Sequence, residues 1–533
     1  MRPDGRARRH GSTAFVRSVR YWAGVIGPVM AALLCTTPSF AEAPAPYDWP
    51  QFNGGPRHSG NNTLEHLISA RNVSKLTLLF KVNVPSTIDG AVTALSRVKT
   101  LTGTVDLLLA TTKAGHLLAL DAHSGATIWT RQVGPGSCRF FEQPLSCFTN
   151  SSPAIDPNRQ FVYSYGLDGR VHKYRVDDGS EVVGGGWPEI TTLRLTNEKA
   201  SSALSVARTM SGDRYLYVVH AGTGPDIGIY QGHLTTINLA TGAQHVFNTM
   251  CSNHSDVHFT GPLGPATCPQ NYGGIWGRSG VIYDRDTDRI YMAVGNGTFD
   301  PVNHEWGDSV LALNPDGTGR ANGDPLDSYT PRNHAELLKF DFDLGSSSPV
   351  VLPVPPRSRI KHLALQTGKD GKLRLIDLTN MSGQGGPGHT GGEVSPIIDV
   401  PQGGPVFSVP ATWLNPADGS TWVYVANYSG IAGLRLLFNA HGTPYLHPVW
   451  TRQDGGSSPL VANGVVYEAG DNRLQALDPL TGKRLWQDTR IHNIHWSSPV
   501  VANGILYISD WQENHFSRLL AYALPGVAAG SRP

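Results

Sequence analysis

The chain has 533 residues, 16% charged and 40% apolar, with 60 Gly and 38 Pro. Lys and Arg total 43 against 42 Asp and Glu, a net charge of +1, which gives no electrostatic basis for binding nucleic acid or an anionic membrane surface. Length alone permits two or three domains, but repeated all-β units often run this long as one body, and 12 Trp with 18 Tyr favour strands.

The N-terminus comes first. Arg2 to Arg20 is basic and polar, an apolar run follows from Tyr21 to Cys35, and Ser39-Phe40-Ala41 supplies small residues. This order predicts a secretory signal peptide over 1–41, cleaved after Ala41 or Ala43, and a mature protein that is periplasmic or secreted. The run is too short to span a bilayer comfortably, and no later segment is long and apolar enough to do so. Leu33-Leu34 before Cys35 argues against lipid attachment. Four cysteines then remain, Cys138, Cys147, Cys251 and Cys268. An even count in an oxidising compartment suggests two disulfides. Of the three pairings, the local one (Cys138–Cys147 and Cys251–Cys268) is favoured because each bridge closes a short loop containing Pro. No C-x-x-C spacing supports a metal site instead.

Repeats decide the fold class. Asp106–Trp129 and Ser457–Trp486 each contain an alternating apolar strand, a polar turn, a second strand ending in Ala-Leu-Asp, a Ser-Gly or Thr-Gly turn and a final Trp. Related units occur at Ser151–Val182, Tyr215–Phe247, Trp276–Gly319, His362–Gln384, Val409–Trp450 and Trp496–Pro525. Period-two alternation with Gly punctuation means antiparallel strands joined by tight turns. One such unit cannot bury both faces of its sheet, so the units must stack around a ring. The expectation is an all-β, eight-bladed β-propeller over 47–525 with a disordered tail over 526–533. Trp129, Trp450 and Trp486 are expected to close each blade against its neighbour, an aromatic burial worth about 1.5–3 kcal/mol. No helix of useful length is visible. Gly383–Gly392 and Glu393–Pro405 read as loops.

The opening DWPQFNGGPRHSGNN, the following NVSKLTLLF (Asn72–Phe80) and the repeat units together resemble the quinoprotein alcohol dehydrogenases, which carry pyrroloquinoline quinone (PQQ) and Ca²⁺ over the centre of the ring. What the resemblance implies can be carried over residue by residue. GGIWGRSGVIYD is similar to the segment bearing the Trp that stacks under the quinone, which points to Trp276. YMAVGNGTFD resembles the strand end that supplies an amide oxygen to Ca²⁺, here Asn296. GTGPDIGIYQG is similar to the segment whose Glu binds the ion, and the shorter Asp226 stands in that place. KFDFDLGSSSP resembles the segment of the general base, here Asp341, with Asp343 as the second choice; Asp341 would also face the metal. QTGKDGKLRLID places Lys369 where many members have Arg, so its bond to the quinone would lack a planar fork. Residue chemistry by itself leaves other readings open: a blade-closing Trp276, an Asn296-Gly297 turn, and buried or surface-turn structural Asp residues. Neither an adjacent cysteine pair nor a C-x-x-C-H haem site is present, features likewise absent from haem-free relatives of polyvinyl-alcohol dehydrogenase that the chain resembles. The resemblance implies oxidation of a small or polymeric alcohol, with electrons passed to an external acceptor. The competing expectation is a propeller with the same repeats that binds or scaffolds without catalysis.

Overall fold

A computed structural model describes residues 45–133, 148–224, 228–255, 258, 268, 270–512 and 516–526. The segment 1–41, Cys138, Cys147, Asp226 and the tail beyond Gly526 lie outside the described residues, so the expectations placed on them have no structural counterpart. From Pro46 on, the described chain forms one compact unit. Among the described residues, no helix is long and apolar enough to cross a membrane.

The Ala-Leu-Asp and Thr-Gly signature folds into a fixed turn. Asp478 Oδ1 accepts hydrogen bonds from the amides of Leu480 and Thr481 at 3.0 and 2.9 Å, and Gly482 follows at φ +68°. Asp121 makes the same turn through the amides of His123 and Ser124, with Gly125 at φ +71°. A short carboxylate that mimics a backbone turn and a glycine free to enter the left-handed region reverse the chain between third and fourth strands.

Each unit therefore closes as an antiparallel meander, and eight such sheets form the propeller. Blade one runs through Thr93–Thr100, Gly103–Thr111, His116–Asp121 and Thr127–Gln132. Blade two begins at Ala154–Ile155, blade three at Glu198–Ala200 and Ser205–Arg208, and blade four at Ile282–Asp284. Blade five begins at Val350–Leu352, blade six at Ala411–Leu414, blade seven at Leu460–Ala462 and blade eight at Val500–Ala502. Blade eight takes its outer strand from the other end of the chain: Thr77–Val84 pairs antiparallel with Phe516–Ala523. The segment NVSKLTLLF thus closes the ring.

The repeated tryptophans dock forward. Trp129 Nε1 donates to Val176 O of blade two at 3.0 Å, and Trp450 Nε1 donates to Pro479 O of blade seven at 2.9 Å. Their rings cover the turn glycines so closely that a Cβ on Gly179 or Gly482 would lie 2.6 or 2.5 Å from the indole. Trp486 donates to Leu76 O at 3.1 Å, and at the ring seam Phe80 covers Gly125 in place of a Trp. On the inner side, serines stitch neighbours together: the hydroxyls of Ser152, Ser348 and Ser458 accept the amides of Ala91, Ser279 and Val409 from the preceding blade.

Two sequence readings are corrected. His334–Phe340 is a helix ended by Asp341 in the left-handed conformation, φ 56°. At seven residues it is too short to show a sustained helical period. The stretch Glu393–Pro405, read as loop, contains Ile398–Asp399, which pairs with Lys372–Asp377 as the outer strand of blade five. Two residues are too few to display alternation.

Candidate functional site

Position relative to the inner strand selects the side chains that reach the ring centre. Asn150, Ser201, Arg278, Phe407 and Trp496 each sit four residues before an inner strand begins. All five line one cavity of about 470 Å³, together with Trp276, Asn296, Asp341, Asp343 and Lys369. Lys113, Phe148, Lys199, Tyr230 and His495 complete its charged and aromatic wall.

Asn296 and the Asp341 segment belong to different blades, yet Asn296 Nδ2 donates to Asp341 Oδ1 at 2.7 Å. Lys369 Nζ donates to the same oxygen at 2.7 Å and lies 3.0 Å from Asp343 Oδ2. Asp343 Oδ1 accepts the Asn296 amide at 2.9 Å. The two carboxylates thus differ sharply: the Asp341 side chain is 62% exposed and that of Asp343 only 7%. Burial pushes the Asp343 carboxyl above its usual range despite the Lys369 charge. Burial alone would lower Lys369, but Asp343 and Asp341 outweigh it and hold the ammonium above its usual value. Behind them Asp308, in the left-handed region at φ 48°, joins both halves of the cluster. Its amide donates to Gly295 O at 3.0 Å and its Oδ1 accepts the Leu344 amide at 2.9 Å. Burial and the neighbouring Asp343 raise its carboxyl well above the usual range.

Trp276 docks on no turn glycine of the kind Trp129 covers. Its ring lies 5.3 Å beneath Lys369 Nζ and 6.0 Å from Phe407. A Cβ on Gly295 would fall 2.9 Å from its Nε1, so this glycine admits the indole beside Asn296. Phe407 continues the aromatic lining to Trp496, 5.7 Å away.

The rest of the wall is cationic. Arg278 is 2% exposed, and its guanidinium donates to the carbonyls of Ser201, Asn150 and Asp89 at 2.6, 2.7 and 3.2 Å. Asp89 accepts His495 Nδ1 at 2.8 Å and the Trp496 amide at 3.0 Å, with Lys113 at 3.7 Å. Burial would raise Asp89, but the His495 bond and the charges of His495, Lys113 and Arg278 pull its carboxyl down. Lys199, 8% exposed, donates to Thr223 O at 2.8 Å. Burial, then the Lys113 charge, bring its amine down to about 7.

The set offers some of what a flat anionic quinone and a hard cation need. Asn296 Oδ1 is buried without a hydrogen-bond partner, an oxygen suited to a hard cation. Asp341 supplies an exposed carboxylate beside it, and Trp276 an apolar ring face. Among the described residues, no group of three or more His, Cys, Asp or Glu could hold a metal ion. Asp226, the remaining expected ligand, lies outside them. The structure brings Trp276, Asn296, Asp341 and Lys369 into one cavity, with Asp343 buried among them. Sequence reading missed Asp89, Lys113, Lys199, Arg278, His495 and Trp496. They share no local motif, although the Ser-Ser-Pro or Arg-Ser-Gly run before several inner strands marks where Asn150, Arg278 and Trp496 must stand.

Residues 413–516 match the family model described as outer membrane protein assembly factor BamB (PQQ_2). No curated protein matches the chain significantly. Among solved structures, the quinohemoprotein alcohol dehydrogenase of Pseudomonas putida HK5 aligns with a TM-score of 0.59 at 15% identity, over 91% of this chain and 81% of that one. The quinohemoprotein alcohol dehydrogenase of Comamonas testosteroni gives 0.59 at 16% identity over the same shares. A europium-containing methanol dehydrogenase gives 0.59 at 15%, over 90% of this chain and 98% of that one. Fold, repeats and comparisons agree that this is an eight-bladed β-propeller of PQQ-type repeats, with the architecture of the PQQ-dependent alcohol and methanol dehydrogenases.

Proposed function

We propose that the chain is an exported PQQ- and Ca²⁺-dependent dehydrogenase that oxidises an alcohol and passes electrons to an external acceptor. One observation carries the reading: Asn296 and Lys369 meet on a single oxygen of an exposed Asp341 in a cavity that Trp276 lines. PQQ with a divalent cation, when bound, supplies a two-electron acceptor polarised by a Lewis acid. Asn296 Oδ1 and Asp341 would hold the cation, and the indole of Trp276 would offer a rigid apolar face to the ring. The two donors on Oδ1 orient Asp341 and leave its other oxygen to take the proton of a substrate hydroxyl. Lys369 places positive charge where negative charge grows. Asp343 and Asp308 fix the loop on which Asp341 stands.

The test adds PQQ and Ca²⁺ to purified protein, reads bound-quinone absorbance, and then follows dye reduction with primary, secondary and polymeric alcohols. Asp341→Asn is expected to keep the absorbance and lower dye reduction by about 10²–10⁴-fold. Full activity in that variant removes the base assignment. The match of blades six to eight to the assembly-factor model supports one alternative, a binding scaffold without chemistry. Failure of the protein to bind quinone favours it.

A further inference from the structure

Trp129, Trp450, Trp486 and Phe80 each reach forward from one blade and close the seam to the next. The three tryptophans stand opposite a small residue of their own third strand, Ala119, Gly433 and Ala476, which leaves an indole room to lie across the sheet. Blade five departs from this pattern. Its Leu375-Ile376-Asp377 stands where blades one and seven have Ala-Leu-Asp, so the small residue has become a leucine. The chain opposite is Val394, whose amide donates to Leu375 O at 2.9 Å, and no tryptophan follows it before blade six. A groove of about 390 Å³ is left between the two blades, walled by Leu373, Leu375, Val394 and Ile398 of blade five and by Tyr445 and Leu446 of blade six. It is continuous with the core that joins them, because Leu373, Leu375 and Leu446 belong to one buried cluster with Val423 and Val425. Side chains facing an open gap lose the dispersion contacts that a ring would supply. The turn beyond the groove resembles those at the other seams but is one residue shorter. Asn439 Oδ1 accepts the amides of His441 and Thr443 at 2.9 and 3.0 Å, and Gly442 follows at φ +74°. A Cβ on Gly442 would meet only the Arg357 and Arg359 segment, at 3.2 Å or more, and no indole. Where a tryptophan does dock, its N–H donates to the first carbonyl past the start of the turn, Val176 O or Pro479 O. The counterpart here is Ala440 O, which no donor among the described residues reaches.

We propose that the seam between blades five and six is a binding site for a small planar aromatic molecule of indole type, an apolar bicyclic frame with one N–H donor. The ring takes the place of the missing tryptophan, packs between Leu375 and Leu446, and donates to Ala440 O. The volume is that of a small-molecule pocket. The ligand is free and not carried on a partner's strand. A tryptophan delivered by an added strand needs the outer edge of Lys372–Asp377, and Ile398–Asp399 and the Val394 amide already occupy that edge. The proposal is independent of the dehydrogenase reading, since the groove shares no lining residue with the ring-centre cavity.

The full chain, free of quinone, is titrated with indole by calorimetry. Saturable binding at one site is expected, with a Kd of about 1 mM or tighter, the scale open to a ligand of this size. 1-Methylindole, which has no donor, should bind about fivefold more weakly, the loss of one hydrogen bond. Val394→Trp places the ring on the chain itself and should abolish indole binding while raising Tm. Tyr445→Ala changes a side chain that is 38% exposed, so its melt should match the wild type while indole binding weakens about fivefold. Prior addition of PQQ and Ca²⁺ should leave the titration unchanged. No saturable binding to the wild type overturns the proposal. So does binding that survives both variants, or binding that PQQ displaces, which would place indole at the ring centre. Equal binding of 1-methylindole removes the bond to Ala440 O. Tighter binding of N-acetyltryptophanamide than of indole overturns the free ligand in favour of a chain-borne tryptophan.

Discussion

Two carboxylates separated by one residue receive opposite environments because the chain turns between them. Asp341 ends a helix in the left-handed region and faces the cavity, whereas Asp343 is buried under the Lys369 ammonium. Lys369→Met should cost about 3–5 kcal/mol in urea unfolding, since it strands a buried carboxylate with the Asn296 amide alone. Lys369→Arg should lose less. Lys199 makes a prediction of the opposite kind. Its amine stands at about 7 in the folded chain and near 10.4 once unfolded. Between those values the unfolded state binds more protons, so stability rises with pH, by up to about 1.4 kcal/mol per unit. Unfolding free energies measured at pH 7 and pH 8.5 should show that rise in the wild type and lose it in Lys199→Met.

At the level of strands and turns, the unit of cohesion is an indole from one blade resting on a turn glycine of the next. Gly482 combines φ +68° with Trp450 at contact, so a methyl group there meets both backbone strain and a closed space. Gly482→Ala is expected to cost at least about 2 kcal/mol in guanidinium unfolding, whereas Gly419→Ala, at φ +67° with nothing near, should cost only the backbone part. The Ala-Leu-Asp, Thr-Gly or Ser-Gly, and Trp spacing was readable in the chain because two units, Asp106–Trp129 and Ser457–Trp486, carry the whole set and the others carry parts of it. The helix His334–Phe340 and the strand Ile398–Asp399 were not, since neither is long enough for its period to rise above the loops around it.

For the whole ring, closure depends on a strand far from its partner in sequence. Thr77–Val84 completes blade eight, and Asn61–Asn62 adds a parallel strand to blade seven. A truncation that starts the chain after Val84 should open the seam, exposing the unpaired edge of Phe516–Ala523, and abolish the cooperative thermal transition seen by near-ultraviolet circular dichroism. A truncation ending before Pro46 removes none of these pairs and should leave the transition in place.

Repeats, turn residues and docking tryptophans determined the propeller from sequence alone, because each depends on neighbours within about thirty residues and recurs around the ring. Motif likeness also singled out Trp276, Asn296, Asp341 and Lys369, each within a short local pattern. Only the tertiary structure decided that Asn296 and Lys369 share an oxygen of Asp341, and that Asp343 is the buried member of the pair. Only it brought Lys113, Lys199 and Arg278, from three different blades, to the wall of one cavity, with Asp89 buried behind them. A closed ring gathers single residues from many distant segments at its axis, and no local period records which of them meet.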